Sequence, residues 1–257
     1  MIPAERQRFI VEELSGRGIV SIAHLVDKLG VSHMTVRRDI RHLERDGRLA
    51  SVAGGAQLVE RTLSREAPHR AKIELHRAEK AAIARQCAAM VPKGALIYLD
   101  AGTTTLALAE ALSGRDDLTV VTNDFSILDA LLSRTACVLH HTGGAVDREN
   151  LSAIGDGAAQ AIRRFNFDLA FISSSSFSAR GLSVTAEGKG VVKAAAVDSA
   201  ARAILAVDSS KYGRRAPYAS VNLRRFHAIV SDPGLASGAR RGLDAAGVEI
   251  HIADFAI

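Results

Sequence analysis

The chain has 257 residues, 47% of them hydrophobic and 24% charged, with a formal net charge of +5 and a pI near 9.5. This globular composition suits one large domain or two smaller ones, and the basic balance permits an anionic partner such as nucleic acid. With no Trp, 4% aromatics and only Cys87 and Cys137, the chain excludes base stacking as a main device and a cysteine metal site, and it fits a reducing compartment.

Helix signals come first. An apolar-periodic segment over 3–14 begins with Pro3, tolerated in a first turn because its missing N–H needs no partner there. The stretch MIPAERQRFIVEEL has no apolar signal core, and no apolar run reaches about 18 residues. The expectation is a cytoplasmic protein without a membrane segment. A second helix carries Ile22, Leu25, Val26 and Leu29 at i, i+3, i+4 and i+7, and Gly30 stops it. Ser32 is placed to cap a third helix, which Gly47 ends. LASVAGGAQLV then alternates around Gly54-Gly55, a hairpin signal.

The third helix, within SHMTVRRDIRHLERDGR, holds five arginines. With Val36 at zero and about 100° per residue, Ile40 falls near 40° and Leu43 near 340°, while Met34, Arg37, Arg38, Arg41 and Arg45 fall between about 100° and 200°. One face packs on the first two helices and the other presents guanidinium groups. Two helices joined by a tight turn form a helix-turn-helix, whose second helix can enter a major groove. Arginine suits that task because it pairs bidentately with guanine or phosphate. A plain solvated face is the alternative, with Asp39, Glu44 and Asp46 available to neutralise the arginines.

Residues 60–73, ERTLSREAPHRAKI, are polar and weakly periodic and read as a linker. A helix over 74–90 follows. Short apolar runs then recur at 95–100, 118–122, 137–142, 168–173, 203–208 and 227–232, with helical stretches between most of them. That pattern gives an α/β domain with a mainly parallel sheet. DAGTTT follows the first of these strands and opens a helix, so free N–H groups and hydroxyls gather where the helix dipole favours an anion. Two more strands end in VVTND and VDSSKYG. Ligands bind beyond the carboxyl ends of such strands. The ligand-binding candidates are therefore Asp100, Gly102, Thr103, Thr104, Thr105, Thr122, Asn123, Asp208 and Lys211. His140-His141 cannot readily hold one metal, since neighbours on a strand point to opposite faces. No metal, cofactor or catalytic residue is expected.

VSIAHLVDKLGVSHMTVRRDIRHLERDGRL followed by GGA resembles the N-terminal domain of the DeoR family of bacterial transcriptional regulators. The resemblance implies that Ser32, Thr35, Arg37, Arg38 and Arg41 lie at double-stranded operator DNA. It continues through D-x-G-T-T at 100–104, V-T-N at 121–123, G-G at 143–144 and D-x-S-K-Y-G-R at 208–214, covering roughly residues 3–235. It implies a winged helix-turn-helix over 1–58, a linker over 59–73, and over 74–257 an α/β sensor similar in fold to ribose-phosphate isomerases. That sensor would take a phosphorylated sugar or polyol and assemble a homo-oligomer, dimer or tetramer. The implied function is a repressor of a sugar or polyol catabolic operon that leaves its operator on binding effector. The alternative is a sugar-phosphate isomerase with an appended DNA-binding domain.

Three departures stand out. Ser51-Val52-Ala53 occupies the wing tip where many relatives carry Arg and His. Ser173 and Ser176 stand where glycines are common. Lys189 and Val191 stand where an acidic residue is common, with Glu187 the nearest acid, which favours a more anionic ligand.

Overall fold

The computed structural model of the chain describes residues 2–45, 49–58, 61–63 and 65–255. It divides into two compact units, residues 1–61 with 236–245, and residues 62–235 with 246–257. Gly47 and Asp46 lie outside the described residues.

In the first unit, α1 (Pro3–Arg17), α2 (Ile22–Leu29) and α3 (His33–Arg45) surround a core of Ile10, Leu14, Val20, Leu25, Val36, Ile40, Leu43, Leu49 and Ala56. Gly30 ends α2 in the left-handed conformation, φ 63°, which glycine adopts without strain. Three antiparallel strands, β1 (Ile19–Ser21), β2 (Leu49–Val52) and β3 (Gly55–Leu58), pair in the order β1-β3-β2. The hairpin turns at Ala53-Gly54, and Gly55 is the first residue of β3, opposite Val52. Gly55 serves a close approach instead. A Cβ there would lie 2.3 Å from the Val20 carbonyl oxygen of β1, a strand too short to be legible in sequence. Asp39 does not neutralise the exposed arginines. It is buried and receives Arg6 of α1 through two bonds, Nε to Oδ2 at 2.8 Å and Nη2 to Oδ1 at 3.3 Å. The last helix of the chain, α10 (Ser237–Asp244), packs on α1, with Gly238, Ala239 and Leu243 buried.

In the second unit, seven strands run parallel in the order β17-β16-β13-β10-β5-β6-β7. These are β5 (Leu96–Leu99), β6 (Thr119–Thr122), β7 (Val138–His141), β10 (Phe167–Ile172), β13 (Ala200–Ala206), β16 (Ala228–Ser231) and β17 (Glu249–Ile252). The first six lie in or overlap the apolar runs of the sequence; β17 gave no comparable signal. Helices α5 (Arg77–Ala89), α6 (Thr103–Ala111), α7 (Phe125–Leu132), α8 (Gly155–Ile162) and α9 (Glu187–Asp198) accompany the sheet. Ile83, Cys87, Leu108, Ile127, Leu131, Leu169 and Phe171 belong to one core between them. Short antiparallel pieces complete the unit: the hairpin β8 (Ala145–Asp147) and β9 (Ser152–Ile154), and the sheet of β11 (Phe177–Ser178), β12 (Gly181–Val184) and β15 (Tyr218–Asn222). The stretch read as a linker carries β4 (Arg61–Thr62), paired with β14 (Arg214–Arg215), and the helix α4 (His69–Ile73).

Candidate functional site

The first candidate surface is the outer face of α3. Ser32 caps the helix, accepting from the Thr35 amide at 3.2 Å. Its hydroxyl also lies 3.0 Å from that of Thr35. Ser32, Arg37, Arg38 and Arg41 are exposed, Thr35 is half-exposed, and Met34 shares the face at 65% exposure. Among the described residues no carboxylate pairs with Arg37, Arg38 or Arg41; Arg41 reaches only the Arg37 carbonyl, at 3.4 Å. Glu44 turns instead to the wing and accepts from the Ser51 amide and hydroxyl, both at 2.7 Å. The face is therefore cationic and, among the described residues, unneutralised.

The second candidate is a cleft at the carboxyl ends of β5, β6, β10 and β13, four adjacent strands of the sheet. The chain leaves β5 for β6 on one side and later builds β10 and β13 on the other, so the cleft sits where the strand order reverses. Gly102, Thr103 and Thr104 open α6 into it. Gly102 is needed there, since a Cβ would lie 2.1 Å from Ser173 Oγ. Ser173 donates to the Ala101 carbonyl at 2.8 Å and so presses on the start of α6. Asn123 accepts from Tyr98 Oη at 2.9 Å and from the Ala101 amide at 3.0 Å, and donates to the Ala153 carbonyl at 2.8 Å.

Asp100 is fully buried. It accepts from the Ser173 amide at 3.0 Å and from Lys193 Nζ. Burial pushes its carboxyl upward against the pull of Lys193. Asp208 caps the short turn that carries Lys211, whose Nζ lies 3.5 Å from Asp208 Oδ2. Burial lowers the Lys211 pKa, and Asp208 opposes the shift.

Of the nine expected effector residues, Asp100, Gly102, Thr103, Thr104, Asn123, Asp208 and Lys211 line this cleft, whereas Thr105 and Thr122 are not part of its wall. Thr105 Oγ1 donates to the Gly102 carbonyl at 2.9 Å, one turn back on its own helix. Thr122 Oγ1 donates to the Leu99 carbonyl at 2.7 Å and accepts from the Asp124 amide at 3.1 Å. Both hydroxyls are consumed by backbone. Ser176 is likewise structural, donating to the Ser183 carbonyl at 2.6 Å. Asp124, beside Asn123, caps α7 and also accepts from the Gly102 amide at 3.1 Å; burial raises its pKa to about 6. His140 and His141 face different rings, Phe165 and Phe125.

The sequence reading missed Glu66, His69, Lys72, Lys80 and Lys193, all of which line the cleft. Lys193 had a signal: a lone lysine inside the apolar helical run VVKAAAV marks a cation held in a core. Lys80 donates to the Lys72 and Ile73 carbonyls, and burial brings its pKa down to about 8. Lys189 sits between Asp147 Oδ2 at 3.1 Å and Glu66 Oε2 at 3.6 Å. The cleft wall carries five lysines against three carboxylates. Behind the wall Asp147 pairs with Lys189 and Asp124 holds the Gly102 amide, so what favours a small anion is the convergence of lysine ammonium groups beside a helix N-terminus rather than a net charge.

Two family models match the chain. Residues 6–62 match the DeoR-like helix-turn-helix domain and residues 75–233 the DeoR C terminal sensor domain. An uncharacterized HTH-type transcriptional regulator of Escherichia coli K12, YgbI, is 47% identical over 95% of each chain. The lactose phosphotransferase system repressor of Lactococcus lactis is 30% identical over 80% of this chain and 81% of its own. Among solved structures, ribose 5-phosphate isomerase A of Methanocaldococcus jannaschii is similar over 52% of this chain and 53% of its own, at 16% identity and a TM-score of 0.39. With both domain matches in chain order and relatives aligned along nearly its whole length, the chain belongs to the DeoR family of transcriptional regulators.

Proposed function

We propose that this regulator represses a sugar or polyol catabolic operon and leaves its operator when a phosphorylated sugar or polyol occupies the cleft. The convergence of five lysines on a cleft that also holds the N-terminus of α6 carries the reading. The phosphoryl group would lie against the start of α6, where Thr103 and Thr104 line the cleft and the Gly102 amide is already held by Asp124. Asn123, Asp208 and Lys211 would receive the rest of the ligand. Ser32, Thr35, Arg37, Arg38 and Arg41 would meet the operator, with the N-terminal end of α3 in the major groove. A homodimer or tetramer would present paired recognition helices to paired half-sites. Release requires the effector to bind the DNA-incompetent arrangement better; a coupling of about 1–3 kcal/mol changes operator affinity about 5- to 150-fold.

Thermal unfolding against sugars and polyols, each with and without phosphate, tests this. A compound at about 100 times its Kd stabilises by roughly 2.7 kcal/mol. A midpoint shift confined to phosphorylated members supports the reading. A shift with unphosphorylated sugars means that the cradle at α6 is misassigned. One observation favours an isomerase: the buried Asp100 carboxyl, raised in pKa and held against Lys193, has the environment of an acid/base group. Turnover of any phosphorylated aldose or ketose that binds would establish that alternative.

A further inference from the structure

The stretch between the two domain matches forms part of the cleft. Glu66 is partly buried and gathers three donors from the second unit, Ser175 Oγ at 2.8 Å, Lys72 Nζ at 3.0 Å and Thr185 Oγ1 at 3.3 Å, with the Lys189 ammonium 3.6 Å away. Burial raises its pKa, but Lys72 and Lys189 outweigh that and hold it at about 2. This carboxylate clips the chain just ahead of α4. The His69 amide donates to the Glu149 carbonyl at 2.8 Å, and Lys72 Nζ donates to Asn150 Oδ1 at 2.6 Å. The strap is thereby fastened to the β8–β9 hairpin as well.

Between these fastenings stands His69, 1% exposed and part of the cleft wall. Neither ring nitrogen has a hydrogen-bond partner; the nearest carboxylate, Asp124, is 4.0 Å from Nε2. A buried imidazole with both nitrogens unsatisfied is costly. Burial, with Lys72 and Lys80 adding to it, lowers its pKa and favours the neutral ring. A neutral imidazole offers one donor and one acceptor. A phosphoryl oxygen satisfies only the donor. Hydroxyl groups satisfy both.

We propose that the strap of residues 65–73 is a wall of the effector site and that His69 binds the effector's hydroxyl groups, distinct from the phosphate-binding start of α6. The assignment rests on the reading of the cleft as a sugar-phosphate site, and it locates the polyhydroxyl end of the ligand.

The test is titration calorimetry on the full chain with sn-glycerol 3-phosphate, fructose 1-phosphate, tagatose 6-phosphate and inorganic phosphate. It compares the parent with His69→Ala, His69→Gln and Thr103→Val. His69→Ala should weaken the best-bound sugar or polyol phosphate about 10-fold and leave inorganic phosphate unchanged, because only hydroxyl contacts are removed. His69→Gln, which keeps a donor and an acceptor, should recover part of the loss. Thr103→Val should weaken inorganic phosphate and the organic phosphates alike. Amide exchange of residues 69–75 in the parent chain gives a readout that needs no variant. It should slow with the organic phosphate and not with inorganic phosphate. Unchanged affinity in His69→Ala alongside a loss in Thr103→Val overturns this inference and spares the phosphate site. Equal weakening of inorganic phosphate by His69→Ala overturns the hydroxyl assignment. Failure of every compound to bind the parent overturns the sugar-phosphate reading and this inference together.

Discussion

The two cationic surfaces of this molecule are built on opposite plans. On α3 the arginines are exposed and meet no carboxylate among the described residues. In the cleft the lysines are largely withdrawn from water, and each already has an oxygen partner: Lys193 with Asp100, Lys211 with Asp208, Lys189 with Asp147 and Glu66, Lys72 with Glu66, and Lys80 with two carbonyls. The difference teaches what each surface can recognise. An open arginine face neutralises a polyanion by displacing its counterions, so its affinity falls with salt. A cleft of paired lysines discriminates by geometry, because an incoming anion must replace or share partners already in place.

The largest effect should come from breaking a buried pair. Lys193→Ala leaves the Asp100 carboxylate buried without its counter-ion, and Arg6→Ala does the same to Asp39. Each should destabilise its own unit by about 3–5 kcal/mol, visible as a lower thermal midpoint for the unit concerned. A loss under about 1 kcal/mol in either would mean that the pair is solvated.

Arg38→Ala should cost about 1–3 kcal/mol of specific operator binding if it touches a base, with stability within about 0.5 kcal/mol of the parent, as for surface changes. Quantitative operator titration with a melting curve separates the two. Operator affinity equal to the parent's would break the contrast, since an exposed, unneutralised arginine would then be idle.

The cleft should respond to pH. Burial is the chief cause that lowers Lys80 to about 8; Lys211 and Lys72 push the same way, and Asp208 and Glu79 oppose them. In the empty site its ammonium persists below that pH and is lost above it, whereas a bound phosphate favours the charged form. Effector affinity should therefore hold near neutrality and fall above about pH 8, by up to about tenfold per unit. Lys80→Arg, charged throughout, should flatten the profile; a parent profile already flat to pH 9.5 would show that Lys80 does not face the anion.

The smallest effect belongs to the wing. Its tip carries Ser51-Val52-Ala53, and Ser51 is engaged by Glu44. The salt dependence of operator binding should be shallower by about one unit for each missing phosphate contact. Val52→Arg should steepen it; an unchanged slope would mean that the wing tip lies away from the backbone.

The sheet was legible because six of its strands are short apolar runs, several ending in Asp or Thr-Asn, and for the inner strands burial on both faces writes that pattern without long-range information. The cleft was legible in part. Gly102, Thr103 and Thr104 open into the cleft, but Thr105 and Thr122 do not, because a hydroxyl's target depends on the carbonyls nearby, which composition does not record. Asp39 looked like a surface partner for neighbouring arginines; its partner, Arg6, is 33 residues away and on another helix. His69 and Lys72 were hidden for a different reason. They lie in a polar, weakly periodic stretch, and only tertiary packing turns that stretch into a wall.

The Arg6–Asp39 pair has a consequence for how such regulators diversify. Val36, Asp39, Ile40 and Leu43 fix the rotation of α3 about its axis, and none of them shares the face that carries Arg37, Arg38 and Arg41. Positions that decide whether the domain folds are thus interleaved with, yet independent of, positions that decide which base pairs it prefers. A lineage, or an engineer, can rewrite the exposed positions and explore new operators while the scaffold stays intact, so binding preference drifts at almost no risk to the fold.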